Sequence, residues 1–301
     1  MALAVALDEV RSRRVRREME GGALRRTPFI ESDPQSPQAF LVEYDPNRVS
    51  RAHFHEVDQF QIIVDGSGML GRHALRPYSV HFARAHTPYG PLVAAAEGMT
   101  FVTLRWRFDA GAQRMPEAKA RLDEIVDRRP WQVTQPVTFD ADRGEVVVEP
   151  IPGMKDEQGL AGYSVTLAPN AMAHAPDPAR GAGQYLVVLE GSLVHEGKEH
   201  KGITVVSIEP HEGSFRLLAG SRGLKGFVLT FPREGVKQAA APAPHAGYKI
   251  WQCVLCAFTY DEEAGLPEEG IAAGTRWQDV PDTWTCPDCT AIKSEFQVVE
   301  L

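Results

Sequence analysis

Cysteine is scarce and confined: the 301-residue chain has four, all within its last 49 residues. A disulfide framework would spread its cysteines. This distribution points instead to one metal site in a reducing compartment. Long apolar runs are missing too. No segment approaches the ~20 residues of a membrane-spanning helix. The apolar start, Met1 to Leu7, has no leading positive charge and runs straight into Asp8-Glu9, unlike a secretory signal. The third absence is excess positive charge. A formal net charge of −8 argues against nonspecific nucleic-acid binding, because contacts to a phosphate backbone need a basic face. What remains is a globular composition, 24% charged and 43% apolar, with a length suited to two or three domains of ~100–200 residues.

The negative charge is unevenly placed. Residues 248–301 hold ten acidic and three basic side chains, a net of −7, whereas the first 247 hold 30 and 29. Just before the acidic tail lies Ala239-Ala-Ala-Pro-Ala-Pro-His-Ala-Gly247. Such a stretch has little to pack, and it reads as a semi-extended linker or an ordered surface loop. Residues 1–26 carry seven Arg. They are expected to form a solvated or partner-bound arm, with a charged helix over 8–19.

The middle of the chain repeats itself. Gln59-Phe-Gln-Ile-Ile-Val-Asp-Gly-Ser67 returns as Gln184-Tyr-Leu-Val-Val-Leu-Glu-Gly-Ser192, an offset of 125 residues. Each is a β-rich run ending at a glycine turn. Short strand-like segments surround both, and frequent Gly and Pro punctuate them, as in sandwiches and barrels. Between the copies, Pro116, Leu122, Ile125 and Val126 predict a connecting helix before Pro130. Two duplicated β-domains joined by a helical connector are expected.

In the tail, Cys253-Val-Leu-Cys256 and Cys286-Pro-Asp-Cys289 are separated by 29 residues. Two such knuckles signal a tetrahedral four-thiolate site, and their spacing alone leaves zinc and iron open. The flanking residues are more specific. Trp251-Gln-Cys-Val-Leu-Cys-Ala-Phe-Thr-Tyr-Asp261, Gly270 to Gly274, Val280-Pro-Asp-Thr-Trp-Thr-Cys-Pro-Asp-Cys289 and Lys293-Ser-Glu-Phe296 resemble a rubredoxin over essentially all of 248–301. The resemblance implies one iron held by Cys253, Cys256, Cys286 and Cys289, shuttling one electron. It also implies an aromatic core of Trp251, Phe258, Tyr260, Trp277, Trp284 and Phe296. Ala257 and Thr290 stand where that family usually has Gly, a departure that bears on hydrogen bonds to sulfur and so on potential.

In the first copy, His53-Phe-His55, then Gln59 and Gly66, is similar to the first motif of cupins. That resemblance implies a small β-barrel with inward metal ligands. Strand alternation puts His53, His55, Gln59 and Gln61 on one face, and Glu56 and Asp58 on the other. Gln59 stands where cupins have Glu, and a neutral amide is a weaker ligand. The segment Leu75 to Gly90 resembles the second motif, where His86 or Tyr89 would close the site, with His81 off register. A non-haem iron or manganese site and a metal-free pocket lined by the same histidines both follow from this pattern. Arg105 and Arg107 fall on one face of the run 100–108. Facing inward they would favour an acidic substrate; facing outward they would be barrel surface. The second copy keeps Gln184 and Gly191 but has no His-x-His pair, so it reads as degenerate.

The expected architecture is mainly β. It comprises an arm (1–28), a first cupin-like barrel (29–109), a helical connector (110–135), a second, degenerate cupin-like barrel (136–235), a linker (236–247) and a rubredoxin-like domain (248–301). Two functions follow. In one, the rubredoxin passes electrons to a cupin iron that oxidises a small acidic or aromatic substrate. In the other, the bicupin is a metal-free binding, docking or dimerising module. The expected electron donor is a flavin- or NAD(P)H-dependent reductase. The resemblance implies a homodimer, and the cysteine usage a cytoplasmic location, with no membrane or nucleic-acid partner.

Overall fold

The structure is a computed structural model. It describes residues 2–31, 33–125, 128–139, 145–233, 247–255, 258–288 and 291–298. Cys256, Ala257, Cys289, Thr290, Val126 and the expected linker up to residue 246 lie outside the described residues.

Among the described residues, the strands form one nine-stranded sheet, one eight-stranded sheet and two small ones. The first barrel is built on the central strand Gln59–Leu70, hydrogen-bonded to Ser79–Ala83 on one side and Leu92–Arg105 on the other. The second repeats this plan. Its central strand Gly183–His195 lies between Thr204–Ile208 and Arg216–Phe231. The repeated glycines serve the same purpose in each. Gly66 has φ +69° and Gly191 φ +79°, and a Cβ there would come within 2.2 Å of the Gly98 carbonyl oxygen and 2.0 Å of that of Gly223. Only glycine lets the central strand turn this close to its neighbour.

Period-2 alternation explains why these strands are apolar on both faces. Phe60 and Ile62 point out of the first barrel and pack with Tyr185, Val187, Phe227 and Phe231 of the second. The intervening Leu186 and Val188 fill the second barrel's own interior. A strand buried on both sides needs a near-continuous hydrophobic run. The two barrels therefore share one core, and each buried Phe or Leu contributes ~1.5–3 kcal/mol. The joint also carries a polar contact: the Tyr185 hydroxyl donates to the Arg105 carbonyl at 3.3 Å.

Three segments differ from the sequence reading. The arm is structured: Leu3–Ala6 pairs with Thr204–Ile208 of the second barrel, while Val15–Met19 and Gly22–Pro28 form a hairpin on Gln38–Tyr44 of the first. The stretch 8–19 has no apolar stripe to bury as a helix, so only Leu7–Val10 is α-helical. Val15–Met19 is instead an exposed edge strand, and its charges discourage further pairing. The connector is mostly not helical. Its helix spans only Lys119–Asp123, and Gln132–Pro136 adds a strand beside Ser79–Ala83. Finally, the strand Leu92–Arg105 stops at Arg105, so alternation does not reach Arg107, which is exposed. Among the described residues no helix is long and apolar enough to cross a membrane.

The C-terminal domain has a three-stranded sheet, Thr259–Asp261, Ile250–Cys253 and Phe296–Val298. The six expected aromatics pack together. Trp277 is central, stacked on Trp251 at 5.1 Å between ring centres and set 4.7 Å from Phe296.

Candidate functional site

The cysteine site sits at one edge of this aromatic core. Cys253 and Cys286 are 1% and 0% exposed and belong to the same apolar cluster as Tyr260, Trp277 and Trp284. The Leu255 amide donates to the Cys253 sulfur at 3.4 Å, as expected of a knuckle whose amides stabilise a thiolate. Cys253 and Cys286 are also tied by their own amides, to the carbonyls of Phe258 (2.8 Å) and Ala291 (2.7 Å). Buried sulfurs with an amide donor aimed at one of them fit a thiolate-bound metal. The same domain buries a residue that carries no motif in the sequence. Glu262, 3% exposed, accepts from the amides of Lys249 and Trp277 (3.0 and 2.9 Å), from the Trp251 indole (3.0 Å) and from Arg276 (3.0 Å). Burial works to raise its pKa, but these donors outweigh burial and hold it below the ordinary carboxylate range. Nothing in a lone Glu within an acidic tail signals that role.

Inside the first barrel, His53, His55, Gln59, Gln61 and Tyr89 are all buried. His53 exchanges backbone hydrogen bonds with Tyr89 at 3.0 Å, and their rings lie 4.7 Å apart. His53 and His55 meet edge to face at 5.3 Å. Gln59 Nε2 donates to the Tyr89 hydroxyl at 2.6 Å. Of the two residues proposed to close the site, Tyr89 is present and His86 is not. The His86 backbone is left-handed, with φ +59°, and its ring lies 6.1 Å from Phe54, on the opposite side of the strand. His81 takes the inner place instead. It pairs with Gln61 in register, its ring is 5.0 Å from Tyr89, and its Nε2 is buried without a partner. Desolvation pushes both His53 and His81 down to about 3, so each is neutral.

The centre of this cluster is occupied by Arg105. Its Nε donates to Gln59 Oε1 (2.8 Å) and its Nη1 to Gln38 Oε1 (3.0 Å). Nη1 also lies 3.0 Å from Asp109 Oδ2. Burial works to raise the Asp109 pKa, but His55 and Arg105 outweigh it, and the carboxylate stays ionised. An ionised carboxylate only accepts, so His55 Nδ1, 2.8 Å from Asp109 Oδ2, carries the proton. His55 Nε2 is then left to accept from Arg105 Nη2 at 3.1 Å. The same Nη2 lies 3.2 Å from His55 Nδ1, so the guanidinium rests against both ring nitrogens, and it takes one of the two lone pairs of Gln59 Oε1: a cation stands where a metal would. Among the described residues no three His, Cys, Asp or Glu side chains are grouped to hold a metal ion. This donor set does not fit a metal. Asp109 and Gln38, which complete the arrangement, carry no pattern that marks them in the sequence.

Known proteins divide the chain in the same way. Fold neighbours cover the barrels. A candidate dioxygenase of Nostoc punctiforme matches with a TM-score of 0.53 at 14% identity, covering 81% of this chain and 88% of that one. A variant of Bacillus subtilis oxalate decarboxylase matches with a TM-score of 0.51 at 13% identity, covering 79% and 78%. An Escherichia coli pirin in complex with nickel(II) matches with a TM-score of 0.50 at 9% identity, covering 77% and 100%. Identities this low establish a shared cupin-like fold. In the tail, the rubredoxin family profile matches residues 250–296. Rubredoxin-2 of Pseudomonas aeruginosa is 61% identical over 51 residues, 17% of this chain and 93% of that protein. Rubredoxin 4 of a Rhodococcus species is 57% identical over 54 residues, 18% and 90%. Through this C-terminal domain, which binds iron for electron transport, the chain belongs to the rubredoxin family.

Proposed function

We propose that this chain is an electron-transfer protein with one metal centre, an iron held by Cys253, Cys256, Cys286 and Cys289. Its paired cupin-like barrels serve as the docking module that holds the rubredoxin domain and presents it to an acceptor. The observation that carries this reading is Arg105, a buried guanidinium that bonds to Gln59 and lies against the His55 ring, so that a cation stands where a barrel metal would have to sit. When bound, the iron supplies a one-electron ferric/ferrous couple. The chain's own residues do the rest. The aromatic core excludes water from Cys253 and Cys286, and the Leu255 amide stabilises charge on sulfur. The acidic surface of the tail steers a basic partner, such as a flavin- or NAD(P)H-dependent reductase, towards it. A cytoplasmic homodimer belongs to the same reading.

A second reading is favoured by the convergence of His53, His55, Gln59 and Tyr89 in one barrel. Here His53, His55 and Gln59, with Tyr89, would hold an iron or manganese that, kept reduced by the rubredoxin, would supply activation of dioxygen as the oxidant of a small acidic or aromatic substrate, with Gln61 and Arg105 at the pocket and Arg107 and His86 outside it. It requires Arg105 to leave its four partners. Iron per chain separates the two, measured on aerobically purified protein and on the double variant His53→Ala/His55→Ala. One iron in both supports the docking module. Two irons falling to one would overturn it in favour of the barrel enzyme, and zinc in the tail would exclude electron transfer.

A further inference from the structure

The rubredoxin domain meets the first barrel at the turn before the strand His73–Leu75. Arg72 Nε lies 3.1 Å from Asp288 Oδ1, and Arg72 Nη1 lies 4.0 Å from Glu268 Oε1. The same guanidinium is 5.5 Å from the centre of the Phe258 ring. A second contact is apolar: Leu255 packs against the cluster of Phe54, Met115 and Leu122. Leu255 lies between Cys253 and Cys256, and Asp288 between Cys286 and Cys289. Each cysteine pair thus contributes one residue to the seam, and the domain is held by its metal-bearing face.

We propose that Arg72 is a positioning and tuning residue for electron transfer: it clamps the cysteine-loop face to the first barrel and favours the reduced centre behind it. The inference rests on reading the C-terminal domain as an iron carrier. Reduction takes one electron from an external reductant and adds one negative charge to the four-thiolate set. No ligand is lost and no proton is taken up. Arg72 brings a fixed positive charge to that face, and net charge near the cluster sets its potential. The packing of Leu255 on that apolar cluster works the other way, because desolvation disfavours the more highly charged form. The Arg72 side chain is 40% exposed, so its charge is partly screened, and the preference is about two- to tenfold. Linkage makes it reciprocal. If docking favours reduction, reduction favours docking by the same factor. A reduced domain stays on the barrel, and an oxidised one is released more readily to meet its donor.

Spectroelectrochemical titration of the intact, iron-loaded chain at low salt tests this on wild type, Arg72→Lys and Arg72→Gln. Arg72→Lys keeps the charge and holds the wild-type midpoint. Arg72→Gln favours the reduced form two- to tenfold less, tenfold being about 59 mV for a one-electron couple, and the gap closes at ~1 M salt. Hydrogen exchange over residues 71–73 is slower in the reduced than in the oxidised wild type, and that difference vanishes in Arg72→Gln. A midpoint for Arg72→Gln equal to or above wild type overturns the proposal and leaves the iron-carrier reading standing. A chain that takes up no iron overturns that reading instead.

Discussion

The two barrels share a fold, a buried Gln at the start of the central strand and a glycine at its turn, yet their interiors differ in kind. In the first, Gln59 meets a charged network of Arg105, Asp109 and His55. In the second, Gln184 donates to the Thr230 hydroxyl and the Pro176 carbonyl, both at 3.0 Å, and apolar side chains fill the rest. Register locates the divergence. Gln184 pairs with Thr230, and Phe60 pairs with Leu104, which sets Arg105 beside Gln59. One position on the neighbouring strand thus decides whether the barrel holds a cation or a hydroxyl. The same strand plan accommodates both. A buried charge network is therefore not needed for the fold, and its retention in the first barrel calls for a specific role.

Asp109→Ala gives the largest expected effect. It leaves the Arg105 charge buried without its carboxylate, and ~3–5 kcal/mol of stability is lost. In the second barrel Thr230→Ala, at the position that corresponds to Arg105, removes one neutral bond and costs ~1 kcal/mol. Denaturant midpoints of the two variants measure the contrast directly, and equal losses would erase it. Phe60→Ala, at the joint the barrels share, is expected to cost ~3–5 kcal/mol and to lower the midpoints of both barrels together rather than one.

Removing iron sharpens a different contrast, between the barrels and the tail. A domain of ~54 residues buries too little surface to be very stable alone. Chelation under reducing conditions should melt the rubredoxin transition and leave the barrel transition in place, as seen by calorimetry. The smallest effect is acid lability of the tail. Glu262 has a depressed pKa in the folded state. It therefore contributes stability above its unfolded value of ~4.3 and loses it as pH falls through the lower folded value. Glu262→Gln should flatten that part of the tail's stability curve while the barrels keep theirs.

The rubredoxin was the most legible part of the chain because its chemistry is local. Each cysteine pair and its flanking aromatics lie within a few residues of one another. The inward set His53, His55 and Gln59 was legible through alternation, which needs only the next few positions. Alternation could not show that the strand ends at Arg105, so it set Arg107 beside it. The left-handed backbone at His86 likewise turned that ring outward and left His81 inside, a shift that register counting along an assumed strand misses.

Local spacing and composition alone were enough to specify a four-thiolate domain, a duplicated β-rich body and an inward histidine pair, because each depends on neighbours along the chain. Tertiary structure alone decided that Asp109 accepts from His55 while Arg105 bonds to Gln59 and lies against the His55 ring. It alone decided that Arg72 meets Asp288 across more than two hundred residues. Those contacts join strands and domains remote in sequence, and a charge reveals its partner only once folding has brought the two together and taken the water from between them.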